Sequence, residues 1–201
     1  MSATPVATRM TFEQFLRWCD EDTHAEWVDG EVVPMSPVGL EHQHISGFLL
    51  EMIRLYVRIK KLGEVLHEPF QMRLSHSSRS PDLFFISNSN LHRLKDSYLE
   101  GAADLVVEVI SPESRARDRG EKFYEYETEG VREYWLVDPE RHQVEFYQLG
   151  ETGVYQTVLP GGDGIYHSKV LEGLWIKVEW LWTRPAPLEV LQAWEIVAQA
   201  Q

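Results

Sequence analysis

Cysteine is almost absent from this 201-residue sequence, which contains only Cys19. A single cysteine cannot form an internal disulfide, and no Cys/His pattern of the zinc-binding kind surrounds it. The sequence also lacks an apolar run approaching the ~18 residues that a membrane helix needs. Residues 1–8 lack the apolar centre of a signal peptide. We therefore expect a protein of a reducing compartment, the cytoplasm, that does not associate with a membrane.

Positive charge is scarce in this chain. The sequence has 19 Lys and Arg residues against 32 Asp and Glu residues, so its formal net charge is -13. A protein that holds nucleic acid mainly through phosphates is usually basic, because neutralising phosphates releases counterions and supplies most of the non-specific affinity. Any nucleic acid would have to meet a local basic surface here, while the acidic remainder weakens non-specific binding.

Two groups of basic residues could form such a surface. The denser group follows position 108, and the second lies about twenty residues earlier; they are Arg115, Arg117, Arg119 and Lys122, and then Arg93 and Lys95. If the denser group surrounds a catalytic site, it could contact phosphates. Alternatively, it is a solvated surface balanced by Glu113, Asp118 and Glu121. The sequence favours neither interpretation.

Repeats, linkers and low-complexity tracts are missing too. With 43% hydrophobic and 25% charged residues, the composition is that of an ordinary globular protein. We expect one domain over residues 1–201, with a loose N-terminal arm at 1–9 and a core at about 11–181. The mixture of helical and extended patterns predicts an α+β or α/β fold: a mixed central β-sheet flanked by helices, with a β-rich C-terminal part.

The sequence predicts the following order of elements, with loops at 75–80 and 88–101. They are a helix over 11–20 with a Thr11/Gln14 capping box, a hairpin turning at Asp29-Gly30, a long helix over 41–62 capped by Gly63, strands at 65–66, 70–74, 81–86 and 105–110, a helix over 118–129 ended by Gly130, strands at 133–137, 142–149, 154–159 and 174–181, and a helix over 187–200.

Glu108 interrupts an otherwise apolar run, 105–110, that is typical of a strand buried on both faces. An ionised carboxylate in an apolar environment must find a cation, find hydrogen-bond donors or become protonated. A metal ion is one such partner. Alternatively, the strand lies at a sheet edge, and Glu108 points into water or pairs with an arginine.

Asp82 is a second carboxylate beside an apolar strand, just after Pro81. Asp82 stands at the start of its strand and Glu108 near the end of its own. If the two strands are neighbours, two hard oxygen ligands converge, which suits Mg²⁺ held by one or two carboxylates, water and substrate phosphate. The main-chain carbonyl of Val109 could be a further ligand. An aspartate after proline also commonly just begins a strand.

Lys122 lies on the helix after Glu108, where Asp118, Lys122 and Tyr126 share one face at four-residue spacing. One interpretation is an exposed Asp118–Lys122 ion pair, which contributes only a few tenths of a kcal/mol. The other is functional: the ammonium reaches back over the strand end to orient a water or to stabilise a phosphate in its transition state.

These motifs together resemble a known family. Pro81-Asp82, the run from Glu108 to Pro112, the Asp118/Lys122/Tyr126 face and the segment 130–139 are similar to the Uma-type "putative restriction endonuclease" family, a branch of the PD-(D/E)xK nuclease superfamily. The resemblance extends upstream to 26–31 and to a helix beginning near His44. It covers most of residues 11–181 and implies a restriction-endonuclease-like core.

The resemblance implies roles for individual residues. Asp82 and Glu108 match the acidic Mg²⁺ ligands of the superfamily signature, and Mn²⁺ could substitute for Mg²⁺. The signature lysine should follow the glutamate by two residues, where this chain has Ile110, and Lys122 on the next helix is the matching candidate. Glu26 and His44 match accessory positions, although His44 could equally be a packed histidine at the core edge.

The activity implied by the resemblance is metal-dependent hydrolysis of phosphodiester bonds in nucleic acid, with DNA as the expected substrate. A homodimer is expected, because a duplex has two strands to cut. The alternatives are an inactive module of the same fold that binds DNA, and a protein-interaction subunit.

Overall fold

The computed structural model describes residues 9–20 and 22–198. The predicted loose arm lies almost wholly outside them. The elements are α1 (Phe12–Trp18), β1 (Ala25–Val28), β2 (Glu31–Pro34), α2 (Leu40–Lys60), β3 (Gly63–His67), β4 (Gln71–Arg73), β5 (Ser77–Arg79), β6 (Leu83–Ser87), a 3-10 helix (Asn88–Arg93), β7 (Tyr98–Glu100), β8 (Leu105–Val109), α3 (Arg115–Arg119), α4 (Glu121–Glu129), β9 (Glu133–Asp138), β10 (Gln143–Leu149), β11 (Tyr155–Val158), β12 (Ile165–His167), β13 (Trp175–Lys177), α5 (Trp180–Thr183) and α6 (Pro187–Ala193).

The largest sheet has six strands in the order β11-β10-β9-β8-β6-β3. The β8–β9 pair is parallel, and the other pairs of this sheet are antiparallel. A second sheet of five strands, β2-β1-β5-β4-β7, and the β12–β13 hairpin complete the β structure of the described residues. The prediction of a mixed central sheet with helices and a β-rich C-terminal part is therefore confirmed.

Strand β8 lies in the interior of the six-stranded sheet, between β6 and β9. All five of its residues are buried, which confirms the prediction that this apolar run forms a strand covered on both faces. The alternative of an edge strand with Glu108 in water is wrong. Glu108 instead lies inside the protein with 4% of its surface exposed, and therefore needs partners there.

The two faces of the six-stranded sheet pack against different layers. One face carries residues such as Leu83, Leu105 and Val107, and it packs against α2 and the C-terminal segment. The opposite face carries Phe84, Val106 and their neighbours, and it packs against α4 and strands of the five-stranded sheet. Because side chains alternate along a strand, Glu108 is on the face of Val106, toward α4.

Local signals in the sequence located several ends and turns correctly. Thr11 and Gln14 form the predicted capping box of α1. Asp29 and Gly30 have positive φ angles of 47° and 91° and join β1 to β2, as expected for a two-residue hairpin turn. Gly130 ends α4 in the left-handed conformation.

The role predicted for Gly63 is wrong. Lys61, with φ 56°, caps α2 in the left-handed conformation, and Gly63 begins β3. The glycine is required for a different reason. A Cβ at Gly63 would lie 2.0 Å from the carbonyl oxygen of Ile86 on the neighbouring strand.

Several predicted elements differ from the structure. The loop over 75–80 contains β5, and the predicted irregular region contains a 3-10 helix and β7. The helix over 118–129 is two helices that meet at Gly120, where a Cβ would lie 2.8 Å from the carbonyl oxygen of Ala116. The strand over 174–181 ends at Lys177 before α5, and the helix over 187–200 ends at Ala193. Residues 199–200 lie outside the described residues.

In the part of the chain that the structure describes, no helix is long and apolar enough to cross a membrane.

Candidate active site

Asp82 and Glu108 lie side by side at one end of the six-stranded sheet. Strands β6 and β8 are antiparallel neighbours, and Leu83 pairs with Val107. Asp82, one residue before β6, is therefore brought to Glu108, one residue further along β8. The backbone N–H of Val109 donates to Oδ2 of Asp82 at 2.6 Å. The strands that carry the two acids to this place are therefore neighbours, as a shared ligand site requires.

Lys122 extends from α4 to the same place. Its Nζ lies 2.8 Å from Oε1 of Glu108, 3.1 Å from Oε1 of Glu26 and 3.4 Å from Oδ1 of Asp118. All four side chains are at most 5% exposed. The predicted Asp118–Lys122 pair exists, but the interpretation of it as a solvent-exposed pair is wrong. The hydroxyl of Tyr126, one turn later, also donates to Oε1 of Glu108 at 2.8 Å.

Glu26 comes from β1 of the five-stranded sheet and joins this cluster through its own set of partners. Its Oε2 accepts from Nη1 of Arg79 at 3.1 Å, and its Oε1 accepts from the backbone N–H of Ser80 at 3.2 Å. Arg79 in turn donates from Nε to Glu125 at 2.6 Å. Glu26 thus connects the five-stranded sheet to Lys122, which in turn contacts Glu108 of the six-stranded sheet.

Burial and neighbouring charges shift the pKa values of Glu108, Glu26 and Lys122. Burial raises the pKa of Glu108 to about 8; Lys122 opposes the rise, and Asp118, Asp82 and Glu26 add to it. Burial would also raise the pKa of Glu26, but Lys122, Arg79 and Arg117 outweigh it and lower that pKa to about 2. The pKa of Lys122 rises although burial opposes it, because Glu108, Glu26 and Asp118 stabilise the ammonium. The three carboxylates therefore stabilise the charged form of Lys122.

The acids line a cavity of about 120 Å³, which we call the acidic cavity; among its lining residues are His42, Glu68, Asp82, Glu108, Arg117 and Lys122. Two of these, His42 and Glu68, were missed by the sequence analysis. Nε2 of His42 lies 3.2 Å from Oδ1 of Asp82. Glu68 precedes β4, and burial together with the charge of Asp82 raises its pKa.

His44 does not reach the acidic cavity. Its side chain is 47% exposed and lies 3.6 Å from Glu41, so the prediction that it faces the packed side of its helix is wrong. His42, two residues earlier, occupies the buried face of α2 and is 6% exposed. The available sequence signal was helical spacing, because His42 lies three residues before the core residue Ile45.

The predicted basic cluster divides into two kinds of residue. Arg115 pairs with Glu140 at 2.6 Å, and Arg119 pairs with Glu145 at 2.6 Å and Asp138 at 3.2 Å. Arg117 instead lines the acidic cavity, and no carboxylate of the described ranges lies within 4.0 Å of it. Arg93 lines a separate cavity beside Asp104, at the opposite end of β8.

The carboxylates of Asp82 and Glu108 fit Mg²⁺ in chemistry and number, since this ion is commonly held by one or two carboxylates plus water and phosphate. Oε1 of Glu108 accepts from Lys122 and Tyr126, whereas no hydrogen bond among the described residues uses Oε2. The same residues contain no group of three or more His, Cys, Asp or Glu side chains arranged to hold a metal ion. Water or substrate would therefore have to complete the coordination, and the carbonyl of Val109 stays a predicted ligand.

Residues 12–179 match the family described as "Uma2: Putative restriction endonuclease". The chain belongs to this family. The Uma2 match confirms the resemblance drawn from Asp82, Glu108 and the segments around them. A search of curated proteins found no match.

A solved structure similar to this Uma2 protein is described as "a putative nuclease belonging to DUF820" from Anabaena variabilis ATCC 29413. The two share 17% sequence identity with a TM-score of 0.73, over 87% of this chain and 98% of that chain. At this identity the similarity shows a shared fold, which confirms the predicted nuclease-like architecture.

Proposed function

We propose that this Uma2 protein is a Mg²⁺-dependent endonuclease that hydrolyses phosphodiester bonds of DNA. The observation that carries the proposal is that three side chains meet in one cavity: Asp82 just before β6, Glu108 on β8 and Lys122 on α4. Two carboxylates beside a buried ammonium suit the binding of a divalent cation next to a phosphate. The family description and the fold of the DUF820 neighbour support a nuclease.

In this proposal Asp82 and Glu108 hold Mg²⁺, with the carbonyl of Val109 as a further ligand and Mn²⁺ as a substitute. When bound, the ion would supply a hydroxide-like water and relieve charge on the phosphate. Tyr126 keeps Oε1 of Glu108 in place, which leaves Oε2 for the ion.

Lys122 acts in this site as a cation. Because three carboxylates hold its proton, it cannot serve as a general base near neutral pH. Its ammonium instead orients the attacking water and stabilises the negative charge that develops on the phosphate oxygens. Glu26 positions Lys122, and Arg79 fixes Glu26.

Cleavage of supercoiled plasmid and of labelled oligonucleotides, DNA and RNA, with Mg²⁺ or Mn²⁺ tests this proposal. We expect the wild-type protein to cut DNA, and Asp82→Asn, Glu108→Gln and Lys122→Met to lose about 100-fold or more in rate. Glu64→Gln is the matched control, because Glu64 is an exposed carboxylate on β3 of the same sheet. It should cut like the wild type.

Two results would contradict the proposal: no cleavage of any substrate with either ion across many sequences, or cleavage by Glu108→Gln at the wild-type rate. Calorimetric titration with Mn²⁺ separates an inactive module of this fold, because a catalytic site should bind the ion and lose it in Asp82→Asn. A protein-interaction subunit would co-purify with a partner and show no affinity for nucleic acid at low salt.

A homodimer is part of the proposal for cleavage of both strands of a duplex. Sedimentation of the protein with and without duplex DNA measures it directly. A monomer in both cases would remove the dimer from the proposal and leave single-strand cleavage.

A further inference from the structure

The polar side chains of the acidic cavity are recessed below the protein surface. The side chains of Asp82, Glu108 and Lys122 are 8%, 5% and 3% exposed. A phosphate can contact them only by entering the cavity. In a stacked duplex the phosphates stay on the outside of the helix, and the neighbouring nucleotides keep them there. A nucleotide that leaves the stack is free to enter.

A second cavity, of about 340 Å³, adjoins the acidic cavity, and we call it the side cavity. It is lined by His24, Met35, Ser36, Pro37, Val38, Gln43 and Glu68. Four of these residues, Met35, Ser36, Val38 and Glu68, also line the acidic cavity. The two cavities therefore share a wall, formed chiefly by the loop between β2 and α2.

The side cavity has the chemistry of a site for a nucleobase. Met35, Pro37 and Val38 offer apolar surface to the flat face of a ring, and the thioether of methionine is polarizable and adapts its shape. The side chains of Gln43 and His24 make no hydrogen bond in the described part of the chain, so their polar atoms are available. A glutamine can pair with the edge of a base through two hydrogen bonds. The volume lies at the lower end of ligand pockets, roughly 300–1,000 Å³.

The basic side chains around the acidic cavity offer one cation to a phosphate, whereas a duplex backbone needs a row of them. Arg115 and Arg119 are held by Asp138, Glu140 and Glu145. Arg117 lines the cavity, and its buried Nε has no hydrogen-bond partner among the residues described. A row of phosphates would need several such cations, because each neutralised phosphate contributes to non-specific affinity. The net charge of -13 further disfavours a duplex laid along the surface.

We propose that the protein binds one unstacked nucleotide, with its phosphate in the acidic cavity beside Arg117 and its base in the side cavity. The substrate class is then a single strand, or a nucleotide extruded from a duplex. This inference rests on the proposed nuclease function, and it adds a base-binding site formed by Met35, Val38 and Gln43. The reacting phosphate is the one adjacent to the bound base.

Fluorescence anisotropy tests the inference independently of cleavage. The wild-type protein is titrated, with EDTA and with Ca²⁺, against three labelled DNAs of one sequence: single-stranded, fully paired, and paired with a central unpaired loop. We expect the single strand and the looped duplex to bind at least about 10-fold more tightly than the paired duplex, because the paired duplex must first unstack a base. Tighter binding of the single strand than of the looped duplex identifies a free strand as the substrate, and the reverse order identifies an extruded nucleotide.

Substitutions in the side cavity make the test specific. Gln43→Ala and Met35→Ala should weaken single-strand binding by about 5-fold or more, because the first removes the hydrogen bonds to the base edge and the second removes the thioether contact with the ring. Gln43→Ala should also reduce the differences in affinity among dA, dC and dT homopolymers. Gln156→Ala, at an exposed glutamine on β11, is the matched control and should bind like the wild type.

Equal affinity for the paired and single-stranded DNA would overturn the inference, and so would binding by Gln43→Ala and Met35→Ala equal to that of Gln156→Ala. Cleavage without any preference for unstacked nucleotides would remove the base site and leave the nuclease proposal standing. Selective binding of unstacked DNA without any cleavage would support the base site and contradict the nuclease proposal.

Discussion

Nε2 of His42 lies 3.2 Å from Oδ1 of Asp82, and both side chains are less than one-tenth exposed. The other carboxylate oxygen, Oδ2, accepts from the backbone N–H of Val109. Asp82 is therefore held from both sides, by α2 and by β8. Nδ1 of His42 is buried and has no hydrogen-bond partner in the described part of the chain, so the contact with Asp82 is the polar contact that the histidine makes there.

Replacing His42 should weaken metal binding without removing a ligand. Partners of metal-ligating side chains typically contribute 10–100-fold to affinity, so His42→Asn should raise the Kd for Mn²⁺ by about 10-fold or more. His42→Gln should restore much of the affinity, because its amide nitrogen can stand near the position of Nε2. Calorimetric titration measures both variants. Equal Kd values for the Asn and Gln variants would argue against a positioning role.

Removing the ammonium of Lys122 should lower the free energy of unfolding as well as the cleavage rate. Lys122→Met leaves Glu108, Glu26 and Asp118 buried together without their common cation. Breaking a buried ion pair by deleting one partner typically costs about 3–5 kcal/mol. Urea unfolding should show a loss near the lower figure, because the raised pKa of Glu108 makes this carboxyl the easiest of the three to keep neutral.

The control for that measurement is Lys95→Met, at an exposed lysine after the 3-10 helix. The free energy of unfolding of this control should stay within about 0.5 kcal/mol of the wild type. A similar loss in both variants would indicate that the buried cluster is not the cause.

The ionisation of Glu108 should appear in the pH dependence of stability. Its pKa is raised to about 8 in the folded protein from an ordinary value of 4.5. The folded protein therefore keeps a proton that the unfolded chain releases between these values. The stabilisation is fully present below pH 4.5 and is lost as the pH rises through about 8.

Comparison with Glu108→Gln isolates this effect, because the amide does not titrate. From pH 5 to 9 the free energy of unfolding of the wild type should fall relative to that of the variant. Glu26, whose pKa is lowered to about 2, contributes stability above pH 4.5 that is lost only as the pH falls toward 2, outside this window. A constant difference between the two proteins from pH 5 to 9 would contradict a raised pKa.

Glu133, at the far end of β9, should matter for stability alone. Its Oε1 accepts from Trp135 and Tyr166, and its Oε2 accepts from Ser168 and from the backbone N–H groups of Lys169 and Val170. These bonds attach the β12–β13 hairpin to the large sheet. Glu133→Gln should cost about 2–3 kcal/mol, because a charged acceptor is lost from buried donors.

Hydrogen exchange and urea unfolding measure that change, with faster exchange expected at residues 165–177. The affinity for Mn²⁺ should stay unchanged. Glu151→Gln, in an exposed turn, is the matched control. Unaltered exchange in the hairpin would show that Glu133 does not hold it.

Local sequence patterns determined much of the fold. The capping box of Thr11 and Gln14, the Asp29-Gly30 turn and the helix end at Gly130 depend on residues within a few positions of each other. The nearly continuous apolarity of residues 105–109 favoured a strand covered on both faces, and the structure places β8 in the interior of its sheet. Such features follow from backbone sterics and local hydrogen bonds, which depend on the residue types at neighbouring positions.

Strand β5 could not be predicted from local sequence patterns, because its residues are polar. Ser77, Ser78 and Arg79 have little apolar character, yet all three are buried in a strand. Arg79 is buried because Glu26 and Glu125 meet its charge there. Those partners are 53 and 46 residues away in sequence, so no local sequence pattern predicts the pairing.

The same division holds for the candidate site. Sequence motifs singled out Asp82, Glu108 and Lys122, and the family resemblance added Glu26. The antiparallel pairing of β6 with β8 brings Asp82 and Glu108 together. Only the tertiary structure decided that His42 rather than His44 faces Asp82, that Arg117 rather than Arg115 or Arg119 meets the cavity, and that a side cavity adjoins it. The physical reason is that burial and charge pairing depend on which distant elements pack together, whereas a motif records only the order of residues along the chain.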